Sequence, residues 1–249
     1  MRRVTSRELL DDDLGTSQEI NGNLDDLWRI NRWLGGVSSN LTLLGHFFSC
    51  TGAHAVRILE VGAGDARLAA CLRRKLSHRH IRADFFVLDR RRSHLLHGPC
   101  LAAGLHPVVA DVAALPFAAG SFHVVMCNLL FHHFSGDQAR GVLRHLASIA
   151  TEALVINDLE RNVLPYLLIR SVPWLLRSRR LTRHDGPASV RQAYTRREIT
   201  ALAASAGFKN FEVQSLTPFR WGLTVWTRGN LGAPQAWVRP EIAEGIRLD

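Results

Sequence analysis

The sequence has no pair of cysteines at the spacing of a zinc or redox motif. Its four cysteines, Cys50, Cys71, Cys100 and Cys127, are scattered. That argues against a zinc ribbon or a disulfide framework and for reduced thiols in a cytoplasmic chain. No run of about 18 or more apolar residues occurs, so no transmembrane helix is expected. No N-terminal stretch has the basic, apolar, small-residue order of a secretory signal, which again points to a cytoplasmic location. There is no internal repeat and no low-complexity tract. The pattern G-x-x-x-x-G-K-[ST] is missing too, which excludes nucleoside triphosphate binding through a P-loop.

What is present is an ordinary globular composition. The 249 residues are 47% hydrophobic and 21% charged, enough for a sizeable core. The formal net charge of +9 raises nucleic acid or an anionic membrane surface as partners. The arginines are spread along the chain, apart from Arg177, Arg179, Arg180, Arg183 and Arg191, so nucleic acid is not favoured. Residues 1–50 are predicted to form an N-terminal helical cap. Thr5-x-x-Glu8 reads as a capping box. Ile20, Leu24, Leu27 and Leu34 recur at helical spacing, with Asn31 on the same apolar face and Gly35-Gly36 as a stop. A second helix is expected from Asn40 to Cys50.

The pattern then changes to short apolar runs: Val56–Val61, Phe85–Leu88, Pro107–Ala110, Phe122–Cys127 and Ala153–Ile156. Helix-length segments separate most of them, and Ser135-x-x-Gln138 reads as the cap of the helix before Ala150. Continuously apolar runs alternating with helices argue for a buried parallel sheet. Two further runs, Phe211–Leu216 and Trp221–Trp226, are too close together for a parallel crossover and should pair antiparallel. Thr195-x-x-Glu198 caps the helix before them. The predicted fold is α/β, a Rossmann-like doubly wound seven-stranded sheet, mostly parallel with a C-terminal antiparallel strand. The sheet domain is expected over 51–228 with an insertion at 159–192, followed by an irregular tail at 229–249.

Each of the first five strands ends near a polar residue: Glu60, with Asp65 in the turn beyond it, then Asp89, Asp111, Asn128 and Asp158. In open α/β sheets that edge binds ligands, although any one of these side chains could simply cap a helix. Gly62-x-Gly64-x-x-Arg67 puts an arginine where a dinucleotide turn needs a small residue. Glu60 just ahead of the glycines would repel a pyrophosphate and suits a cationic ligand.

Glu60-Val61-Gly62-Ala63-Gly64-Asp65 resembles the first motif of class I S-adenosylmethionine-dependent methyltransferases. The stretch FHVVMCNLLFHHF is similar to the fourth-strand motif of the branch that includes quinone-biosynthesis enzymes. INRWLGG and HDGPASVRQAYTRREI look similar to bacterial methyltransferases of specialised metabolism. The resemblance covers Leu41 to Trp226, and its departure is Ala66 in place of an often-seen third glycine. It implies S-adenosyl-L-methionine as cofactor, held by Glu60, Gly62, Ala63, Gly64, Asp89, Arg90, Asp111, Val112 and Asn128. Asp89 would hold the ribose hydroxyls and Asp111 would lie beside the adenine.

Methyl transfer to a hydroxyl needs alignment and a proton acceptor. His132 and His133 follow the fourth strand directly and are the candidate catalytic residues, with no residue-level ground for choosing between them. Trp28, Asn31, Asn157 and Asp158 are candidate substrate-binding residues, with Trp33 beside them. No carboxylate stands at ligand spacing from a histidine, so no metal is expected. The segment Val163–Leu176, interrupted by Pro165, Arg170 and Pro173, reads as a core or dimer helix or as a lid over an apolar acceptor; peripheral membrane contact is a third reading. The expectation is a cytoplasmic monomer or homodimer that methylates a small apolar acceptor, with oxygen favoured. C-methylation of a quinone precursor, an RNA or protein substrate, and a non-catalytic cofactor-binding module are the alternatives.

Overall fold

The apolar runs become the strands of one seven-stranded sheet in the computed structural model, which describes residues 1–5, 8, 16–175 and 180–228. In chain order the strands are β1 (Ala55–Val61), β2 (Arg82–Asp89), β3 (His106–Val109), β4 (Phe122–Asn128), β5 (Ala150–Leu159), β6 (Phe211–Leu216) and β7 (Arg220–Trp226). Their spatial order is β3-β2-β1-β4-β5-β7-β6. β1 to β5 run parallel, and β7 pairs antiparallel with both β5 and β6. β7 therefore slots between β5 and β6.

The alternation of side chains along each strand divides the core in two. Leu59, Val61, Val125, Leu154 and Ile156 face one cluster, shared with α5 (Gly136–Ser148) and α8 (Arg196–Ser205). Ile58, Phe85, Val87, Val124 and Val155 face the other, shared with α2 (Gly36–Thr51) and α3 (Arg67–Ser77). With helices on both faces, strands such as β1 and β4 bury apolar side chains on both sides, so their sequences read as apolar runs broken inside only by Arg57, Glu60 and His123.

The N-terminal region departs from its expected boundaries. Thr5 and Glu8 have no regular structure; the capping box is Thr16-x-x-Glu19, opening α1 (Ser17–Trp33). Tertiary contacts take the first residues elsewhere: Arg3 donates to the carbonyls of His132, Phe134 and Gln192. α2 starts at Gly36, earlier than Asn40, because Gly35 takes a left-handed conformation (φ 72°) that turns the chain straight into a new helix. A side chain at Gly36 would meet Asn31 Oδ1 at 1.8 Å, so this glycine lets the two helices close on Asn31.

Ser135 stands at the N-cap of α5 as expected, but its side chain makes no capping bond. Thr195-x-x-Glu198 forms a complete capping box on α8. The prolines do not break the apolar segment: α6 (Val163–Leu175) is one helix. Pro165 sits in its first turn, where a missing N–H costs no ladder bond, and Pro173 sits in its last. α6 packs against α7 (Arg180–Gln192), and α7 reaches α1, where Thr182 Oγ1 hydrogen bonds with Asn23 Oδ1 (2.7 Å) and Asp26 Oδ2 (3.1 Å). Between β2 and β3 lies the short α4 (Arg92–His97). The expected tail at 229–249 and two arginines of the basic cluster, Arg177 and Arg179, lie outside the described residues. Among the described residues no helix is long and apolar enough to cross a membrane.

Candidate active site

Parallel strands deliver their C-terminal residues to one edge of the sheet, and a cavity of about 490 Å³ opens there, within the usual range for small-ligand sites. The turn after β1 forms its floor. Gly62 has φ 68°, and a Cβ on it would meet Leu130 at 2.7 Å, so this position admits only glycine. Ala63 N–H donates to the Leu88 carbonyl (2.9 Å), tying the turn to β2. Gly64 N–H donates to Asp89 Oδ2 (2.8 Å) and Arg91 N–H to Asp89 Oδ1 (2.9 Å). Two backbone donors thus fix the Asp89 carboxylate while each oxygen keeps a lone pair for a diol. Asp111, exposed at the next strand end, accepts from Ala113 N–H (2.8 Å). Asn128 Oδ1 accepts from Asn40 Nδ2 and Asn157 Nδ2, each at 3.0 Å, which leaves its amide nitrogen to donate.

This half fits a ligand with a ribose diol, a cationic arm and no phosphate. Glu60 is 2% exposed and its Oε2 has no hydrogen-bond partner. Burial, and then the neighbouring Asp65 and Asp89, push its pKa up to about 8 against one backbone hydrogen bond from Ala69. A cation entering the cavity would relieve that carboxyl, whereas a phosphate would worsen its position. Arg67, at the position of the missing third glycine, turns away from the cavity and pairs with Asp65 and with Asp25 of α1.

At the opposite end of the cavity stands a cluster of Glu8, His132 and His133. His132 lies on the turn Phe131–His133 and is 2% exposed. Its Nδ1 is 2.8 Å from Asp158 Oδ1, and its backbone N–H donates to Asp158 Oδ2 (2.9 Å). Its Nε2 faces Glu8 Oε1 at 3.5 Å, and His133 Nε2 faces Glu8 Oε2 at 3.8 Å. Burial alone would depress the His132 pKa, but the charge and hydrogen bond of Asp158 and the nearby Glu8 carboxylate outweigh it and raise it to about 10. Burial likewise pushes Asp158 and Glu8 up, and the histidines more than reverse it, so both carboxyls lie below their ordinary values. Ser189 Oγ (2.7 Å) and Gln192 Nε2 (3.0 Å) both donate to Glu8 Oε1.

All the candidate cofactor residues (Glu60, Gly62, Ala63, Gly64, Asp89, Arg90, Asp111, Val112 and Asn128) line this one cavity, as do His132, His133, Trp28 and Asn31. Asn157 and Asp158 do not line it: both are fully buried beneath it and act by holding Asn128 and His132. Trp33 is 79% exposed and takes no part. Asn31 sits on the apolar face because its Oδ1 accepts from the buried Arg220 (2.8 Å). Arg220 and Glu8 are cavity residues that sequence reasoning passed over. Arg220 looked like the flank of a strand, and Glu8 like a helix cap; a charged residue heading a closing strand is the signal that could have marked the first. The expectation of no metal meets one group among the described residues whose ligand atoms all lie within 4.8 Å of one another, and it is Glu8, His132 and His133.

Residues 58–152 match a family model described as a methyltransferase domain. No curated protein matches the chain in sequence. Among solved structures, a SAM-dependent methyltransferase from Aquifex aeolicus superposes with a TM-score of 0.54 at 15% identity, over 75% of this chain and 88% of its own. The plantazolicin methyltransferase BpumL, solved with SAH, superposes with a TM-score of 0.61 at 13% identity, over 88% of this chain and 99% of its own. An O-methyltransferase family 2 protein from Planctomyces limnophilus, solved with apigenin, gives 0.50 at 15% identity over 69% of this chain. The alignment spans 50% of that protein's length. At such identities the likeness is one of fold, and it agrees with the sheet order and with the family match over the central strands. Residues 58–152 thus match a methyltransferase domain, and the chain has the fold of the S-adenosylmethionine-dependent methyltransferases on which it superposes.

Proposed function

We propose that the enzyme methylates an oxygen of a small, apolar, hydroxylated aromatic or polyketide acceptor. The observation that carries this reading is the composition of the cavity beyond the cofactor residues. Leu27, Pro165, Leu168, Ile169 and Phe219 make much of it apolar, and its polar lining includes the Glu8–His132–His133 cluster, with Asn31 and Arg220. An apolar chamber with one proton-accepting corner suits a ring bearing a hydroxyl. The structural neighbours include one complexed with apigenin and one named a plantazolicin methyltransferase, which accords with a small-molecule acceptor.

In this reading residues 1–50 and the insertion at 159–192 form a roof over the sheet domain at 51–228. When bound, S-adenosylmethionine supplies a methyl group on a cationic sulfur, an electrophile that needs no further activation. The chain's own residues align, exclude water and move a proton. Gly62 and Gly64 give close backbone approach, and Asp89 holds the diol end. α1 and α6 place the acceptor ring, and alignment of this kind is worth several kcal/mol. His133, on the cavity wall beside Glu8, is placed to take the acceptor proton. The exposed Val163, Leu164 and Leu167 on the outer side of α6 suit collection of an apolar acceptor from a membrane surface.

Incubating the enzyme and S-adenosylmethionine with a panel of phenols, quinols and polyketides, read by mass spectrometry, tests the proposal. An O-methylated phenol or polyketide is the expected product. Methylation at carbon only, or no product across the panel, would overturn it.

A further inference from the structure

We infer that Glu8, His132 and His133 form a binding site for one divalent first-row transition-metal ion at the acceptor end of the cavity. Three independent features of the geometry carry it.

The first is spacing. The donor atoms stand 3.5 Å (His132 Nε2 to Glu8 Oε1) and 3.8 Å (His133 Nε2 to Glu8 Oε2) apart. That is long for hydrogen bonds. It is close to the separation of about 3.4 Å between neighbouring ligands of a tetrahedral ion with bonds of about 2.0–2.1 Å. The second is an orphaned donor. His132 Nε2 is buried, has no hydrogen-bond partner and points into the cluster. Its other nitrogen is committed to Asp158 Oδ1 at 2.8 Å. A carboxylate behind a histidine is the usual outer support of a metal-bound imidazole, and it presents the Nε2 lone pair to the ion. The third is the state of the carboxylate. Ser189 and Gln192 both donate to Glu8 Oε1, which fixes the carboxylate as ligating carboxylates are fixed and leaves Oε2 towards His133.

Two imidazoles and one carboxylate suit zinc, iron, cobalt or nickel better than magnesium or calcium. Three protein ligands leave at least one coordination position, and the cluster lines the cavity, so that position faces the acceptor. Resting on the proposed function, the ion would take the acceptor oxygen there and acidify its hydroxyl, whose proton would then leave to water because the three ligands are committed to the ion. The binding site itself stands without that reading. Sequence spacing could not reveal it, because Glu8 and the histidines are more than 120 residues apart in the chain.

The test uses the full chain stripped with chelator. Zn²⁺ is titrated calorimetrically, and Co²⁺ by visible absorption, whose ligand-field bands report nitrogen and oxygen donors. One equivalent should bind. Glu8→Gln and His133→Ala should each weaken binding at least tenfold. Asp158→Asn should weaken it by about 10–100-fold through loss of the outer support. Asp89→Ala, at the far end of the cavity, should leave it unchanged. His133 is the least buried of the three ligands' neighbourhood contacts to disturb, and the thermal midpoint of its variant checks the fold. Absence of one-to-one uptake, or equal affinity in the folded Glu8→Gln and His133→Ala variants, would overturn the site. Metal uptake without turnover of any hydroxylated acceptor would instead overturn the proposed function and leave the site standing.

Discussion

Asp89 and Glu60 stand near the ends of the paired strands β2 and β1 and serve opposite ends of one requirement, a cationic ligand carrying a diol. Asp89 is pinned by two backbone donors, so its loss removes charge-assisted hydrogen bonds to the ribose without disturbing the strand. Asp89→Ala should therefore weaken S-adenosylmethionine binding at least tenfold by calorimetry; unchanged affinity would refute its role. Glu60 behaves differently. With a pKa near 8 it carries a proton at neutral pH in the free protein. A bound cation favours its carboxylate, so binding releases a proton and affinity should rise as the pH passes through about 8. In Glu60→Gln that part of the pH dependence should vanish, which isothermal titration at pH 6.5 and 8.5 would reveal. Both residues were visible in the sequence as polar strand ends. Glu8 was not, since nothing local separates a helix cap from a side chain with distant partners.

Among the elements, the caps show how local and tertiary signals compete. Thr195 and Glu198 make a reciprocal box on α8, each side chain satisfying a backbone donor of the other. Glu198 also anchors Arg161 at 2.6 Å, at the start of the insertion. Thr195→Ala should cost about 1 kcal/mol, seen as a lower midpoint in urea unfolding with an unchanged slope; an unchanged midpoint would show that the cap contributes nothing. At the same four-residue pattern in Thr5 and Glu8, the Glu8 side chain instead meets Ser189, Gln192 and the histidines. Strands were more legible than caps. Val56–Val61 and Phe122–Cys127 are apolar on both faces, and only a sheet covered on both sides wants that. α6 was less so: Pro165 falls in its first turn, where the missing N–H costs no bond, and Pro173 loses one bond just before the helix ends.

For the whole molecule, the Asp158–His132–Glu8 chain links stability to pH in the metal-free protein. The folded His132 pKa of about 10 lies above its ordinary 6.5. Its contribution is complete below pH 6.5 and is lost as the pH rises through about 10. Asp158 and Glu8 are depressed below 3.8 and 4.5, so their contribution is present above those values and lost as the pH falls through the folded ones. Asp158→Asn should therefore bring the alkaline loss of stability to lower pH, measured as the thermal midpoint from pH 6 to 10; an unmoved alkaline limb would sever the link. Charge at this scale has a second site. A basic groove along α3, with Arg73, Arg74, Lys75 and Arg82, shares only Trp28 with the lining of the active-site cavity. The positive charge of the chain is thus largely separate from the chemistry.

The sequence by itself determined the class of sheet, the strand positions and the ligand end of each strand. Those depend on local properties: an apolar run buried on two faces, a glycine that must take positive φ, an acid at a strand terminus. Tertiary structure alone decided the insertion of β7 between β5 and β6, the partnership of Asn31 with Arg220, and the meeting of Glu8 with His132 and His133. These join residues far apart in the chain, and the free energy that selects them comes from burial and pairing that exist only once the sheet and its roof have closed.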